Sequence, residues 1–314
     1  MGERQPGGPW VPPAGLYMAA TETAPAGFPP PSIGVTNRLF PFSPGAYAPR
    51  YIPLFRGLYR AAYAHIKERG QEKMSTKSVK AQGFSRESIR KVLRLAGEYR
   101  AMYMAMGTDD IKICISTGNR KIGHVMNVSL MPMVTCANCK ECMHFCYDIK
   151  ACLQYPKTVI SARMRNTCLY WKDRNEYFAR IEKAISRRRK NKFFRWHVAG
   201  DIPDRWYLSQ MVNIARNHPD FKFWTYTKNY DTVNEFVRIH GGEREKAIPG
   251  NLSIMFSEWK GLPMNNPYSF PVFACRFPDE KIPENTFKCP GNCNVCMKAC
   301  RGCIAGENTY NDLH

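Results

Sequence analysis

Apolar residues in the first half of the chain recur mainly with helical spacing. This spacing predicts a helix over residues 54–69 and another that begins after Ser85 and ends near Met104. Two short strand-like runs follow at 111–115 and 125–131, separated by the turn-rich segment STGNRKIG. Residues 158–190 have a helical pattern again, with a break near 172–175. The first half of the chain is therefore predicted to contain helices and two short strands.

Strand-like and helix-like segments then alternate. The predicted order is a strand at 193–199 (FFRWHVA), a helix at 204–217 capped by Asp204, a strand at 221–227, a helix at 231–240 and a strand at 251–256. Short connections between such segments predict a parallel sheet with helical crossovers. We expect an α/β fold over residues 108–274, built as a partial or complete (β/α) barrel.

The remaining segments differ in composition from this domain. Residues 1–53 are rich in proline and glycine and are expected to be irregular or disordered, and residues 54–107 are expected to form a helical region. Residues 275–314 are rich in Cys, Pro, Gly and Asn, so we expect a tail that cannot build its own core and depends on metal.

The expected compartment and the positions of the cysteines indicate what kind of site the protein holds. No secretory signal and no apolar run long enough to span a bilayer is evident, which favours a cytoplasmic protein without a membrane partner. Nine of the 13 cysteines among the 314 residues lie in two short clusters. Clustered cysteines in a reducing compartment favour metal binding over disulfides.

The first cluster comprises Cys136, Cys139, Cys142 and Cys146, with the spacing C-x2-C-x2-C-x3-C. This is the spacing of a ferredoxin run, and it lets one loop aim several soft thiolates at one point, which favours a [4Fe-4S] cluster. Zinc is the alternative, with the second ligand pair supplied by Cys289 and later residues. If only three cysteines bind, one iron keeps an open coordination position.

The second cluster lies in the tail and comprises Cys289, Cys293, Cys296, Cys300 and Cys303, with Cys275 as an extra candidate. Its density predicts one metal site, either a second iron–sulfur cluster or zinc.

The ends of the predicted strands carry candidate cofactor-binding residues. Gly200 and Asp201 end one strand and Thr227 ends the next, and ligands bind outside the carboxyl ends of parallel strands. Strict alternation would place Arg195 and His197 on one face of the sheet. Two alternatives stay open, in which Asp201 only caps the next helix and His197 is a buried core residue.

The motifs TGNRKIG, the loop from Thr135-Cys136 to Cys146-Tyr147, RWHVAGD and FWTYTK together resemble the phage gene product 88 family. The resemblance runs from residue 117 to about 260 and continues into the tail. Cys136, Cys142 and Cys146 match the family's cysteines, and Cys139 is an addition. The resemblance implies a phage or mobile-element protein and no particular activity.

The same order of elements is similar to that of radical S-adenosylmethionine enzymes. In those enzymes three cysteines hold a [4Fe-4S] cluster, S-adenosylmethionine chelates the fourth iron, and an acidic strand end binds its amino group. The resemblance implies these roles for Cys136, Cys142 and Cys146 and for Gly200-Asp201, although the first loop lacks the usual C-x3-C-x2-C triplet. It predicts an iron–sulfur enzyme whose catalytic residues and substrate the sequence does not identify.

A formal net charge of +20 supports a second hypothesis. Such an excess favours contact with polyanions, nucleic acid first. The strongest basic run consists of Arg187, Arg188, Arg189, Lys190 and Lys192 at the end of a predicted helix. The alternative function is a non-catalytic nucleic-acid-binding protein stabilised by zinc or iron–sulfur sites; the run can also be an ordinary solvated helix end.

Overall fold

A computed structural model describes residues 83–277 and 279–313, except for the side chain of Glu141. The predicted irregular segment 1–53 and the predicted helix at 54–69 lie outside these residues. Within them, no helix is long and apolar enough to cross a membrane.

One eight-stranded sheet organises the described chain, in the order β1-β2-β3-β4-β5-β6-β8-β7. Its strands are β1 Ile115–Ser116, β2 Met126–Val128, β3 Phe193–Trp196, β4 Lys222–Thr227, β5 Leu252–Glu258, β6 Val272–Arg276, β7 Phe287–Lys288 and β8 Thr309–Asp312. Only β1 and β2 pair antiparallel; every other pair is parallel. The predicted parallel sheet is confirmed. A complete barrel is not, because no pairing between described strands joins the edges β1 and β7.

The helix predicted after Ser85 is present before β1, and the helices predicted at 158–190, 204–217 and 231–240 are present in the connections from β2 to β3, β3 to β4 and β4 to β5. The described helices are α1 Arg86–Ala105, α2 Cys139–Cys142, α3 Tyr147–Gln154, α4 Ser161–Lys172, α5 Arg174–Ser186, α6 Arg205–Asn217, α7 Tyr230–Ile239, α8 Arg244–Ala247 and α9 Cys293–Ala299. A π turn, Pro156–Ile160, precedes α4, and 3-10 turns span Met143–Phe145 and Gly302–Ala305.

Two predicted N-caps fix where helices begin. The Ser85 side chain accepts a hydrogen bond from the Ser88 N–H at 3.1 Å and starts α1. The Asp204 carboxylate accepts one from the Tyr207 N–H at 2.8 Å and starts α6. Because Asp204 already caps α6, the alternative in which Asp201 is that cap is wrong.

Strand β3 is shorter than predicted. FFRWHVA leaves strand geometry after Trp196, and His197 has a left-handed backbone with φ of 52°. The expected alternation is therefore wrong at this point: His197 turns towards Tyr207, which also contacts Trp196. Arg195 is left on the opposite face of the sheet, beside Tyr226.

The two faces of the sheet pack against different parts of the chain. Phe194, Phe223 and Phe256 point to the helical layer, where they share a core with Leu208 of α6 and Val233 of α7. The opposite face presents Trp224 and Met255, which pack against Cys296, Cys303 and Ile304 of the tail. The tail therefore covers the face of the sheet that the helices leave open.

The tail also extends the sheet. Strand β6 spans the expected boundary between residues 274 and 275, β8 pairs with β6, and β7 pairs with β8. The sequence did not show these short strands, because their pairing is long-range and two of them lack a readable period. The order of the tail therefore rests on the sheet as well as on any metal it binds.

Candidate metal centre at the carboxyl edge of the sheet

The first cysteine loop lies over the carboxyl ends of β3 and β4. It begins where the Leu130 N–H donates to the Ala199 carbonyl at 3.0 Å. Further along, the Asn138 side-chain amide donates to the Lys228 carbonyl at 2.5 Å, just beyond β4. Two anchors at different strand ends thus hold the loop against this edge.

Gly200 permits the close approach of that loop. Its backbone has φ of +86°, and a Cβ atom there would lie 2.8 Å from the Leu130 Cβ and 2.9 Å from the Thr135 Oγ1. Both the left-handed conformation and the lack of space exclude a larger residue without movement of the loop. Gly200 thus contributes to the site by allowing the loop to pack closely against the strand end.

Asp201 lies beneath the loop, 5% exposed, and ties two strand ends together. One carboxylate oxygen accepts from the Ile202 N–H at 2.7 Å and the other from the Lys228 N–H at 2.9 Å. Burial raises the pKa of this carboxyl, while hydrogen bonds from the Thr227 hydroxyl and these two N–H groups act in the opposite direction. The carboxylate is held in a fixed orientation and keeps lone pairs that could accept further hydrogen bonds.

Thr227 supports Asp201 from the end of β4. Its hydroxyl interacts with the Asp201 carboxylate and accepts a hydrogen bond from the Asn229 N–H at 2.9 Å. It is 1% exposed. The hydroxyl predicted to contact a cofactor is therefore already engaged in holding Asp201.

The four cysteines of the loop lie close enough to affect one another. The pKa of Cys136 is raised well above its usual value by burial first, then by Asp201 and by the thiols of Cys139, Cys142 and Cys146. Burial and Cys142 raise the pKa of Cys139 to about 11 and that of Cys146 to about 12. Ionising these thiols together requires a cation among them, which a bound metal would supply.

The thiols differ in direction. The Cys139 sulfur lies 3.8 Å from the Met133 carbonyl oxygen, within reach of a weak S–H hydrogen bond. Cys142 is a neighbour of each of the other three thiols. Within the described ranges, no three His, Cys, Asp or Glu side chains are already arranged as a finished metal-ion site. The donor chemistry nevertheless fits a soft metal centre, because four half-buried cysteines lie in one loop at the carboxyl edge of the sheet.

Cys275 lies near this cluster. It is on β6, and burial is the main cause that raises its pKa to about 11, with Lys228 opposing and Cys142 contributing to the rise. The sequence grouped Cys275 with the tail cysteines. A cavity of about 500 Å³ opens beside it, bounded on other sides by Glu258, Trp259 and Lys260.

His197 is a buried core residue, as the alternative interpretation of this histidine predicts. It is 3% exposed, and its Nε2 lies 3.0 Å from the Tyr207 hydroxyl. Burial, assisted by the neighbouring Arg195, lowers the pKa of this imidazole to about 3.

This lowered pKa predicts a pH dependence of stability. Between about pH 3 and pH 6.5 the unfolded chain binds a proton at this histidine that the folded chain does not, so stability is lost as the pH falls through this window. We expect the free energy of unfolding to fall by up to about 1.4 kcal/mol per pH unit from this group. Denaturant titrations from pH 4 to 7 should show a shallower slope for His197→Gln, which does not titrate; equal slopes would contradict the assignment.

The basic run lies at the opposite ends of the strands from the cysteine loop. Arg187 to Lys192 precede β3 and so lie at the amino ends of the strands, away from the cysteine loop. Lys192 is paired with Asp220 at 2.7 Å, and an Arg188 N–H donates to the His124 carbonyl at 3.4 Å. Arg187, Arg189 and Lys190 are exposed.

Comparisons with known proteins support the resemblance to gene product 88 proteins of phages. Residues 107–261, close to half of the chain, match the family model described as Gene product 88. The Gene 88 protein of Mycobacterium phage L5 is 30% identical over 122 residues, which are 35% of this chain and 49% of the phage protein. The chain thus spans about half the length of this relative. No solved structure matches the chain. The resemblance to the phage gene product 88 family is therefore supported over residues 107–261, the segment that carries the cysteine loop and the Gly200-Asp201 strand end.

Proposed function

We propose that the protein is an iron–sulfur enzyme of the radical S-adenosylmethionine type, with its catalytic cluster on Cys136, Cys142 and Cys146. The observation that carries the proposal is the proximity of half-buried cysteine thiols to the buried Asp201 carboxylate at the carboxyl edge of a parallel sheet. Cofactors of α/β sheets bind at this edge. Soft thiolates provide the ligands that an iron–sulfur cluster requires.

A three-thiolate site is supported by the direction of Cys139. Its sulfur lies 3.8 Å from the Met133 carbonyl oxygen, a weak hydrogen-bond partner, although it also neighbours the thiols of Cys136 and Cys142. Three ligands leave one iron of a [4Fe-4S] cluster open for a cofactor.

Asp201 is the group best placed to bind the amino group of S-adenosylmethionine. The Ile202 and Lys228 N–H groups and the Thr227 hydroxyl fix its carboxylate in place. An ammonium group would add a charge-assisted hydrogen bond to the oxygens that face the cysteine loop. Thr227, as the donor to Asp201, would act as a positioning residue.

A [4Fe-4S] cluster held by Cys136, Cys142 and Cys146 would supply the electron, taken from an external reductant such as dithionite, for cleavage of S-adenosylmethionine to methionine and 5′-deoxyadenosine, with the hydrogen atom coming from a substrate or from the buffer. The chain's own task is to orient the cofactor and limit water around it. The cavity beside Cys275 and Trp259 offers space for a substrate next to that position. Its lining mixes acidic Glu258 with basic Lys260 and aromatic Trp259, and this mixture does not define a substrate class.

Cofactor cleavage tests the proposal. Anaerobically reconstituted protein, reduced with dithionite, should convert S-adenosylmethionine slowly into methionine and 5′-deoxyadenosine, both quantified by chromatography. Protein without dithionite is the control. Absence of both cofactor binding and cleavage in protein that has iron and sulfide at the first site would refute the radical mechanism.

The second candidate function is nucleic-acid binding by a metal-stabilised protein. It is favoured by the net charge of +20 and by the exposed side chains of Arg187, Arg189 and Lys190. Binding through these residues would weaken as salt rises, because each phosphate contact releases counterions. A triple substitution of these residues by glutamine that leaves the affinity for a DNA duplex unchanged would count against this function.

A further inference from the structure

The open face of the sheet carries a second group of thiols, away from the cysteine loop. We call Cys289, Cys293, Cys296 and Cys303 the tail site. Cys296 and Cys303 are buried in the same apolar cluster, against Trp224 and Met255. Two thiols of this short segment therefore lie over the face of the sheet that the helices leave uncovered.

Local structure places these four cysteines in one part of the tail. Cys293 and Cys296 are three residues apart on α9 and so lie on one side of it. Cys289 follows β7, and its N–H donates to the Tyr310 carbonyl of β8 at 2.7 Å. Cys303 lies in the 3-10 turn after α9, and its thiol interacts with the Tyr226 hydroxyl.

Cys289 interacts electrostatically with each of the other three thiols. The pKa of Cys296 is raised to about 11, by burial first and then by Cys289 and Cys293. The pKa of Cys303 is likewise raised to about 11, mainly by burial, with Cys289 among the other causes. Cys300 stands apart from them. It is exposed, ends α9 in a left-handed conformation with φ of 49°, and is not among the groups that shift these thiols.

Arg195 supplies a positive charge to the same place. It projects from β3 onto the open face, where its guanidinium carbon lies 4.8 Å from the centre of the Tyr226 ring. Its Nε is buried without a hydrogen-bond partner among the described residues. The guanidinium hydrogen bonds with the Cys293 sulfur and also interacts with Cys303.

A guanidinium in this position needs a negative partner. None of the ion pairs between described residues includes Arg195, a half-buried residue whose Nε is shielded from solvent, although shielded charges are ordinarily paired. Neutral thiols would leave this charge uncompensated. Thiolates bound to a metal carry a net negative charge and would compensate it.

We propose that Cys289, Cys293, Cys296 and Cys303 hold a four-thiolate metal centre, iron–sulfur or zinc, with Arg195 as its counter-charge and without Cys300. The thiol protons leave to solvent as the metal binds. The centre is independent of S-adenosylmethionine chemistry at the first site. It would fasten the tail to the sheet without an open coordination position.

Metal analysis of the full chain in a Cys142→Ser background tests the centre, because this substitution removes the first site and leaves the tail unchanged. We expect one centre to remain, identified as zinc or as iron with sulfide by elemental and sulfide analysis. Adding Cys293→Ser and Cys296→Ser should remove it, whereas adding Cys300→Ser should retain it. A Cys142→Ser protein without bound metal, or equal retention in all variants, would overturn the proposal.

The role of Arg195 has its own test. Loss of a charged group that supports metal ligands typically lowers metal affinity by about 10- to 100-fold. We expect Arg195→Met to lose the tail metal to a competing chelator correspondingly faster, and Arg195→Lys to recover part of the difference. If Arg195→Met retains the metal as wild type does, Arg195 is not the counter-charge.

Discussion

Replacing Cys142 by serine is expected to abolish both the metal of the first site and the cleavage of S-adenosylmethionine. Cys142 is the thiol that neighbours Cys136, Cys139 and Cys146 alike. A serine hydroxyl is a poor ligand for iron in an iron–sulfur cluster, which prefers soft thiolates. Iron and sulfide analysis should show the loss of one cluster, and cleavage should fall to the background of unreduced protein.

Cys139→Ser is the matched control, since it changes a cysteine of the same loop. The Cys139 sulfur faces the Met133 carbonyl, and a serine hydroxyl can donate to the same oxygen. This variant should keep the cluster and most of the cleavage activity. The ligand assignment is wrong if Cys139→Ser loses the cluster or if Cys142→Ser keeps it.

Replacing Asp201 by asparagine is expected to weaken the binding of S-adenosylmethionine by about 10- to 100-fold, because a charge-assisted hydrogen bond contributes about 1.5–3 kcal/mol. The new amide N–H group would also face either the Ile202 or the Lys228 N–H, which both donate to Asp201. Binding should therefore be measured by calorimetry on reconstituted protein, with thermal unfolding followed in parallel.

Thr227→Val provides the comparison for Asp201→Asn. It removes the hydroxyl that interacts with Asp201 while keeping the carboxylate and its two backbone donors. We expect a smaller loss of affinity than for Asp201→Asn. If Asp201→Asn binds S-adenosylmethionine as tightly as wild type, Asp201 does not contact the cofactor.

The sequence predicts those parts of the fold that depend on local signals. The N-caps Ser85 and Asp204 set the starts of α1 and α6, and the alternation of strands and helices between residues 193 and 258 gives the parallel sheet. Each of these features is determined by a few neighbouring residues. A left-handed His197 is not, because its conformation follows from packing against Tyr207.

The surroundings of the site depend on contacts that are distant in the sequence. Asn138 reaches Lys228 across 90 positions, and no local pattern marks either residue as a partner. Cys275 lies near Cys142 only because β6 is added to the sheet beyond β5. Arg195 could be placed on its strand from the sequence, but its proximity to Cys293 requires the folded tail.

The central claim is that Cys136, Cys142 and Cys146 hold an iron–sulfur cluster, and analysis of anaerobically purified protein for iron, acid-labile sulfide and zinc tests it most directly. We expect brown protein with iron and sulfide in similar amounts, both reduced by Cys142→Ser and retained in Cys139→Ser. Colourless protein that carries only zinc would contradict it, and with it the radical mechanism.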